Sequence, residues 1–562
     1  MNEVKETKAQ RAERLKREKN PWEAFEEIRT FARNGRASLL PEWASSYFKW
    51  WGVYTQGDGL GATGGKGGEG NATEFFMMRI PLPNGLATSE QLRAIADIAE
   101  RSGRNLADIT VRQAIQLHWL TIEDLPEIIQ KLDAVGISTR GACGDVARNV
   151  TGCPLAGIAG DEIIDASPVA LEVAHALMGN SELYNLPRKF KTSVTGCSVW
   201  CSYPEINDIG FTAAVRGEGP RSEVGFSVRV GGGLSKEPHL GVRLNAFVRR
   251  EQVSTVARKI AEIFRDQTAL RENRDRARLK YLFMRQGWTA ESFLEELNSR
   301  LGYRLDPAVD EAIPEDVYRD HAGIHAQKQD GLCYVGLTVL RGRMTARQLR
   351  QVATLAERYG NGHLRTTVMQ NLVIVNVPKS KAQELARELE AIELPVQGSP
   401  FWRGGVACTG TEFCKLAITE TKGFLRWIVE ELEERLPHFD QQLRLNVTGC
   451  PNGCGQHWIA DIGMEGKKVK QDGQLIDAYN FLVGGSVGLH QSTARPLGYR
   501  CPASEVPEAI ERLLRTYLSE RRPSENLRQY FARHSDEDLR GQLAGAVLVG
   551  ALAGDVSQSE RG

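Results

Sequence analysis

Four cysteines in two tight pairs give this chain its most specific chemical signal. Cys408 and Cys414 enclose Thr-Gly-Thr-Glu-Phe, and Cys450 and Cys454 enclose Pro-Asn-Gly. Thiolates are soft ligands, and a cubane iron–sulfur cluster takes four of them. Zinc pairs usually have two to four intervening residues, so the wider first pair fits zinc poorly. Gly449, Pro451, Gly453 and Gly455 surround the second pair and permit sharp turns and close backbone approach. The pattern predicts two loops that deliver four sulfurs to one centre.

The elements that must carry these loops repeat along the chain. Gly85-Leu-Ala-Thr88-Ser-Glu-Gln91-Leu92-Arg93 matches Gly342-Arg-Met-Thr345-Ala-Arg-Gln348-Leu349-Arg350. Ala99-Glu-Arg101 matches Ala356-Glu-Arg358, and Thr110-Val-Arg112-Gln113 matches Thr367-Val-Met369-Gln370, all at an offset of 257. Patterning reads the first copy as strand Phe75 to Pro81, helix Thr88 to Arg101, strand Ile109 to Leu120 and helix Leu125 to Val135. The second copy starts at Tyr334. A strand–helix–strand–helix unit used twice predicts paired α+β modules.

The cysteine region is duplicated too, at an offset of 253. Thr195-Gly-Cys197…Cys201 matches Thr448-Gly-Cys450…Cys454, Asp208-Ile-Gly210 matches Asp461-Ile-Gly463, and Val230-Gly-Gly232 matches Val483-Gly-Gly485. The chain is thus one two-part unit written twice, about 74–300 and 334–530, with a helical Arg271 to Asp306 leading into the join. The copies differ in chemistry. Aligned through Val150-Thr-Gly-Cys153, the first copy has valine at the Cys408 position. It has Arg112 where the second has Met369, Arg148 opposite Val406, and Lys189 and Lys191 opposite Gln442 and Arg444. One half kept sulfur and the other kept positive charge, as expected where an electron-supplying cluster faces an anion pocket.

Composition bounds the rest. The 562 residues carry 71 basic and 71 acidic side chains, so no global charge argues for nucleic acid or a membrane surface. Ten cysteines are too sparse for a secreted disulfide scaffold, and residues 1–20 are mostly charged with no signal-peptide core. The apolar run Leu543 to Ala553 is far shorter than the ~20 residues of a membrane span and reads as a terminal helix or tail. A cytoplasmic protein is expected. Residues 1–40 read as charged helix followed by an aromatic segment at Trp50, Trp51 and Tyr54. The glycine-rich stretch 57–70 reads as a flexible linker, since Leu60 and Gly67 break the phosphate-loop spacing.

Taken together, these residues resemble the siroheme-dependent ferredoxin sulfite and nitrite reductase family over nearly the whole chain. The resemblance rests on the cysteine pattern, Thr110-Val-Arg-Gln113, Asp145-Val-Ala-Arg-Asn-Val-Thr-Gly-Cys-Pro154 and Leu186-Pro-Arg-Lys-Phe-Lys191. It implies an α+β fold of two ferredoxin-like half-domains and two larger α/β cluster and siroheme domains about a pseudo-twofold axis. The implied segments are 1–73 (helical wrap and glycine-rich loop), 74–141 (first half-domain) and 142–330 (first siroheme and substrate domain). They continue with 331–400 (second half-domain), 401–535 (cluster and siroheme domain) and 536–562 (tail).

The resemblance further implies that Cys408, Cys414, Cys450 and Cys454 hold a [4Fe–4S] cluster, with Cys454 also the axial ligand of the siroheme iron. Arg112, Arg148, Lys189 and Lys191 would bind the substrate oxyanion. Arg79, Gln113, Gly231, Gly232, Gly233, Arg365, Gln370 and Asn371 are candidates for contact with the eight siroheme carboxylates. The implied reaction is a six-electron reduction of sulfite to sulfide, or of nitrite to ammonia. At ~4 Å and an effective dielectric near 20, each cation–anion contact contributes about 4 kcal/mol before desolvation, so several together can hold an oxyanion. In this family, lysine at the Lys191 position goes with sulfite and asparagine with nitrite, which favours sulfite here. No nicotinamide or flavin fingerprint is present, so the implied donor is ferredoxin. The family is commonly monomeric.

The competing classes are an iron–sulfur carrier with no haem and a zinc-stabilised binding module. Cys153, Cys197 and Cys201 read as a relic of the duplication. A second metal centre there needs a fourth ligand, and Cys143 is the only cysteine nearby in sequence. Cys333 and Cys501 read as buried small hydrophobes.

Overall fold

A computed structural model describes residues 6–56, 75–311 and 319–545. The glycine-rich stretch 57–70 lies outside these residues, as does the apolar run after residue 545. Two compact units are formed. The first comprises Met1–Gln397, Glu412–Lys415 and Val487–His490, and the second Gly398–Thr411, Leu416–Ser486 and Gln491–Gly562.

Both copies of the smaller module lie in the first unit, and each lends a strand to the other. One five-stranded sheet runs Val53–Thr55, Phe76–Ile80, Ile115–Leu120, Leu106–Ile109 and Arg343–Thr345. The other runs Gly323–Ala326, Leu332–Leu337, Leu372–Pro378, His363–Thr366 and Leu86–Thr88. One edge strand of each sheet therefore comes from the opposite copy: Arg343–Thr345 pairs with Leu106–Asp108, and Leu86–Thr88 with His363–Arg365.

The local sequence explains where each helix begins. Thr88 and Gln91 form a capping box on Ser89–Ser102, and Thr345 and Gln348 form the same box on Ala346–Tyr359. The two helices pack together, with Ser89 Oγ donating to Ala353 O at 2.9 Å. Arg93 forks onto Glu357, and Arg350 reaches Glu100 and Asp97. Arg93–Glu357 and Arg350–Glu100 are the same pair seen from each copy, so they mark a local twofold relation. Both pairs are exposed and contribute little stability.

The sequence reading of one long strand, Ile109 to Leu120, is corrected. The strand breaks into Leu106–Ile109 and Ile115–Leu120, and Thr110 to Ala114 form a tight turn between them. Thr110 and Ala114 close the turn backbone to backbone, and Gln113 sits at φ +55° in the left-handed region. Arg112 is therefore on a turn rather than a strand. Apolar alternation on either side hid the break.

The larger modules have matching topologies, one in each unit. The first sheet runs Val242–Arg249, Glu223–Val230, Ile209–Arg216, Thr192–Thr195, Thr151–Gly152. The second runs Arg495–Pro502, Gln474–Val483, Ile462–Gln471, Leu445–Thr448, Gly405–Ala407. In both, the last three strands are parallel and the others antiparallel. Parallel neighbours end on the same side, so the loops that follow them are brought side by side.

The N-terminal segment is held to the first unit by buried polar anchors. Lys16 Nζ donates to Leu186 O at 3.0 Å, and Trp50 Nε1 donates to Tyr184 O at 2.9 Å. It forms helices Lys8–Glu18 and Phe25–Asn34 with a break between them, not one continuous helix. No helix among the described residues is long and apolar enough to cross a membrane.

Candidate active site

Arg112 is the node of the basic group. Its Nη1 donates to Asn207 Oδ1 at 2.7 Å, and its Nη2 to Asn149 O at 2.5 Å and to Thr192 O at 3.2 Å. Asn149 Nδ2 returns a bond to Arg112 O at 2.8 Å and gives another to Leu82 O. One guanidinium thus clamps the turn at 110–114 to the segment carrying Arg148 and to the strand end following Lys191. The backbone segments that carry three of the four predicted oxyanion ligands are joined at this point, and Lys189 lies two residues before Lys191.

Positive charge is concentrated here. Burial pushes the Arg112 pKa down to about 9; Asp208 opposes that shift, and Arg148, Arg278 and Arg79 reinforce it. Arg112 remains protonated at neutral pH. Arg148 is held by Gly144 O at 2.7 Å and Ala142 O at 3.2 Å, and its Nη2 lies 3.5 Å from Tyr54 Oη. Arg79 donates to Cys143 Sγ at 2.8 Å and stands 5.9 Å from the Tyr54 ring centre. Asp208 is the buried counter-charge: it accepts from Arg278 at 2.7 Å and from the Lys191 backbone N–H at 2.7 Å. The repeated Asp-Ile-Gly was the signal for this positioning residue, because Asp461 binds the Arg444 N–H in the same way at 2.7 Å.

The predicted cofactor contacts divide into two groups. Gln113 Nε2 donates to Thr366 O at 2.8 Å while its Oε1 accepts from Gly152 N–H, and Gln370 Nε2 donates to Ile109 O at 3.0 Å. These amides cross-link the two ferredoxin-like copies reciprocally. A Cβ on Gly231 would meet Phe283, and one on Gly232 would collide with Glu205 O, so protein takes up the space beside these glycines. By contrast, Arg365 Nε and Asn371 Nδ2, and with them Nε of the predicted oxyanion ligand Arg112, are buried donors with no acceptor among the described residues. Unsatisfied buried N–H groups are costly, and three donors fit a group rich in carboxylates.

In the second unit, Cys408 directly follows strand Gly405–Ala407, and Cys450 and Cys454 lie on the loop after strand Leu445–Thr448. The Gly449 N–H donates to Cys408 Sγ at 3.3 Å, and Thr421 Oγ1 donates to Cys408 O at 2.6 Å. Gly410 and Gly453 both take a positive φ of 67°, which glycine adopts freely. Cys450 is buried, Cys408 half-buried and Cys454 exposed. Cys414 belongs to the Glu412–Lys415 segment of the first unit, where Phe413 stacks on His118 at 3.9 Å and Glu412 bonds Arg343 at 2.9 Å.

The strand register corrects the alignment of the two copies. Thr151 pairs with Ser193 and Gly152 with Val194, as Val406 pairs with Asn446 and Ala407 with Val447. Cys153, not Val150, therefore occupies the Cys408 position. The same register carried back sets Arg148 opposite Arg403 rather than Val406. The second copy thus keeps a cation at two of the four positions, and the clearest divergence is Arg112 against Met369. Met369 is buried against Tyr203, whose hydroxyl lies 3.1 Å from its sulfur. Cys143 is likewise not the partner expected for Cys153, Cys197 and Cys201, since its sulfur lies beside Arg79 and Gly52 O.

Comparison with known proteins agrees with this architecture. Residues 143–305 and 399–546 match the nitrite and sulphite reductase 4Fe-4S domain, and residues 68–135 and 325–392 match the nitrite/sulfite reductase ferredoxin-like half domain. The chain belongs to the nitrite and sulfite reductase family. It is 37% identical over 536 residues to the assimilatory ferredoxin-dependent nitrite reductase of Haloferax mediterranei, covering 90% of this chain and 88% of that one. It is 35% identical to the sulfite reductase [ferredoxin] of Mycobacterium tuberculosis, covering 94% and 95% respectively. The structure of the Mycobacterium tuberculosis NirA protein superposes with a TM-score of 0.89 at 33% identity, covering 94% of this chain and 97% of that one.

Proposed function

We propose that this protein is a ferredoxin-dependent reductase that carries siroheme beside a [4Fe–4S] cluster and reduces sulfite to sulfide. The observation that carries this reading is the Arg112 node, which gathers the Arg148 and Lys191 segments around a buried cationic group. The overall change is SO3 2− + 6e− + 7H+ → HS− + 3H2O, and the cofactors, when bound, would supply the electrons one at a time.

The chain's own residues bind the anion and move protons. Cys408, Cys414, Cys450 and Cys454 would hold the cluster, and Cys454 would also serve the siroheme iron as a thiolate ligand. Arg112, Arg365 and Asn371 have free buried N–H donors for anionic oxygens. Arg112 and Arg148 stay charged and orient the oxyanion, whereas Lys189 and Lys191 give up protons as oxygen leaves as water. Ferredoxin is the donor, and the protein acts as a cytoplasmic monomer.

Nitrite is the second reading, favoured by the name of the Haloferax mediterranei relative and by that of the 36% identical ferredoxin–nitrite reductase of Synechococcus elongatus. Sulfite carries more negative charge, which suits the extra cation at Lys191. The deciding experiment is kcat/KM for both anions with reduced ferredoxin. The unaltered protein should prefer sulfite, and Lys191→Asn should shift the ratio toward nitrite; an unchanged ratio removes Lys191 as the discriminator. Purified, cofactor-replete protein without the visible bands of a haem would instead identify an iron–sulfur carrier.

Arg112→Met places in the first copy the residue that the second copy already has. It removes a preorganised donor, so kcat/KM should fall by about 10²–10³ for both anions. Turnover within a few-fold of the unaltered protein would show that Arg112 only braces the turn.

A further inference from the structure

We infer that the first unit binds a second metal centre, a single zinc ion held by Cys153, Cys197, Cys201 and His321. The donor atoms of Cys153, Cys201 and His321 all lie within 4.8 Å of one another, and Cys197 Sγ is 3.5 Å from Cys201 Sγ. All four residues are buried. Leu155, Ile158, Tyr334, Val373 and Val375 pack around the sulfurs, and the Arg319–Asp161 ion pair lies close by.

Two observations separate this group from three ordinary core thiols. The first is His321: it is 3% exposed, and neither ring nitrogen has a hydrogen-bond partner among the described residues. A buried imidazole left unsatisfied is costly, and coordination of one nitrogen offsets that cost. The second is position. Cys153 follows strand Thr151–Gly152 and Cys197 follows strand Thr192–Thr195, the two loop positions that Cys408 and Cys450 occupy in the other copy. The Cys-x3-Cys spacing is also kept. Three cluster-type sulfurs survive in the first copy, and a histidine from a remote segment takes the fourth place.

The spacing selects one ion over a cubane. A tetrahedral zinc bonded at about 2.3 Å to sulfur and about 2.0 Å to nitrogen holds its donors roughly 3.5–3.8 Å apart. A cubane binds each thiolate through a different iron and spreads them wider. Binding releases three thiol protons to solvent and oxidises nothing. The ion ties the two cysteine loops to the segment that enters strand Gly323–Ala326, so its role is structural.

The test is metal analysis of the full-length holoprotein produced with iron and zinc supplied. About one zinc per chain is expected, resistant to dialysis against EDTA, with an X-ray absorption spectrum showing three sulfurs and one nitrogen. His321→Asn suits the left-handed φ of 63° at this position yet removes the ligand. It and Cys201→Ser should each weaken zinc binding by at least about tenfold while leaving iron content unchanged. Absence of stoichiometric zinc in the unaltered protein, a Cys197–Cys201 disulfide, or additional iron in place of zinc would each overturn the assignment. So would full retention of zinc in His321→Asn. None of these outcomes depends on reductase activity, so the proposal and the proposed function can fail separately.

Discussion

Cys454→Ser is expected to lose the visible haem bands, the cluster iron and all measurable reduction of sulfite and nitrite together. Cys408 is fixed by the Gly449 N–H, and Cys450 is buried, whereas Cys454 is the exposed cysteine of the set. A sulfur presented outward can be shared with a second cofactor, and sealed sulfurs cannot. Serine offers a hard oxygen where soft iron chemistry needs thiolate. If Cys454 ligates only the cluster, the variant should retain haem absorption while losing cluster iron. Full turnover in the variant would refute the ligand assignment altogether.

Asp145→Asn should cause the largest loss of stability. The Asp145 carboxylate is 3% exposed and accepts from Arg274 at 2.6 Å, with Lys16 at 3.6 Å and Arg188 at 3.7 Å. Burial raises its pKa, but Arg274, Lys16 and Arg188 outweigh that and hold it well below the usual carboxylate range. Asparagine keeps the shape and removes the charge, leaving three crowded cations short of their shared partner. Removing one member of a buried ionic group costs about 3–5 kcal/mol, measurable as a lower denaturant midpoint at neutral pH.

The pH dependence has a definite sign. A carboxylate whose folded pKa is depressed stabilises the protein above its unfolded pKa of about 3.9, and that contribution is lost as pH falls toward the folded value. The gap between the two proteins should therefore be full at neutral pH and narrow below about pH 4. Equal stability at pH 7 would show that the cations find other partners. Because Asp145 lies three residues before Arg148, the variant should also weaken anion binding.

Much of the site was legible before any coordinates. Thiols, guanidiniums and amines announce their chemistry by type, and the duplication is visible because both copies preserve helix caps and turn residues at constant offsets. Thr88–Gln91 and Thr345–Gln348 cap matching helices because a threonine hydroxyl and a glutamine amide satisfy helix N–H groups wherever they occur. Such local signals depend on near neighbours in the chain and therefore survive in the sequence.

Other features depended on contacts between distant residues. The run Ile109 to Leu120 alternates like one strand, and only the fold shows the turn that aims Arg112 at Asn149 and Asn207. Gln113 and Gln370 resembled cofactor ligands by position, yet their amides bond backbone in the opposite copy. Parallel pairing, which sequence offsets do not encode, placed Cys153 rather than Val150 at the Cys408 position.

The sequence by itself determined the ligand types, the doubled architecture and the family, because side-chain chemistry and local caps are written along the chain. The tertiary structure alone decided which cation organises the basic group and what stands beside the first-half cysteines. His321 is 120 residues beyond Cys201, and no local pattern links them. Folding buries that imidazole beside the sulfurs with no hydrogen-bond partner among the described residues, and burial turns an unremarkable histidine into a candidate ligand.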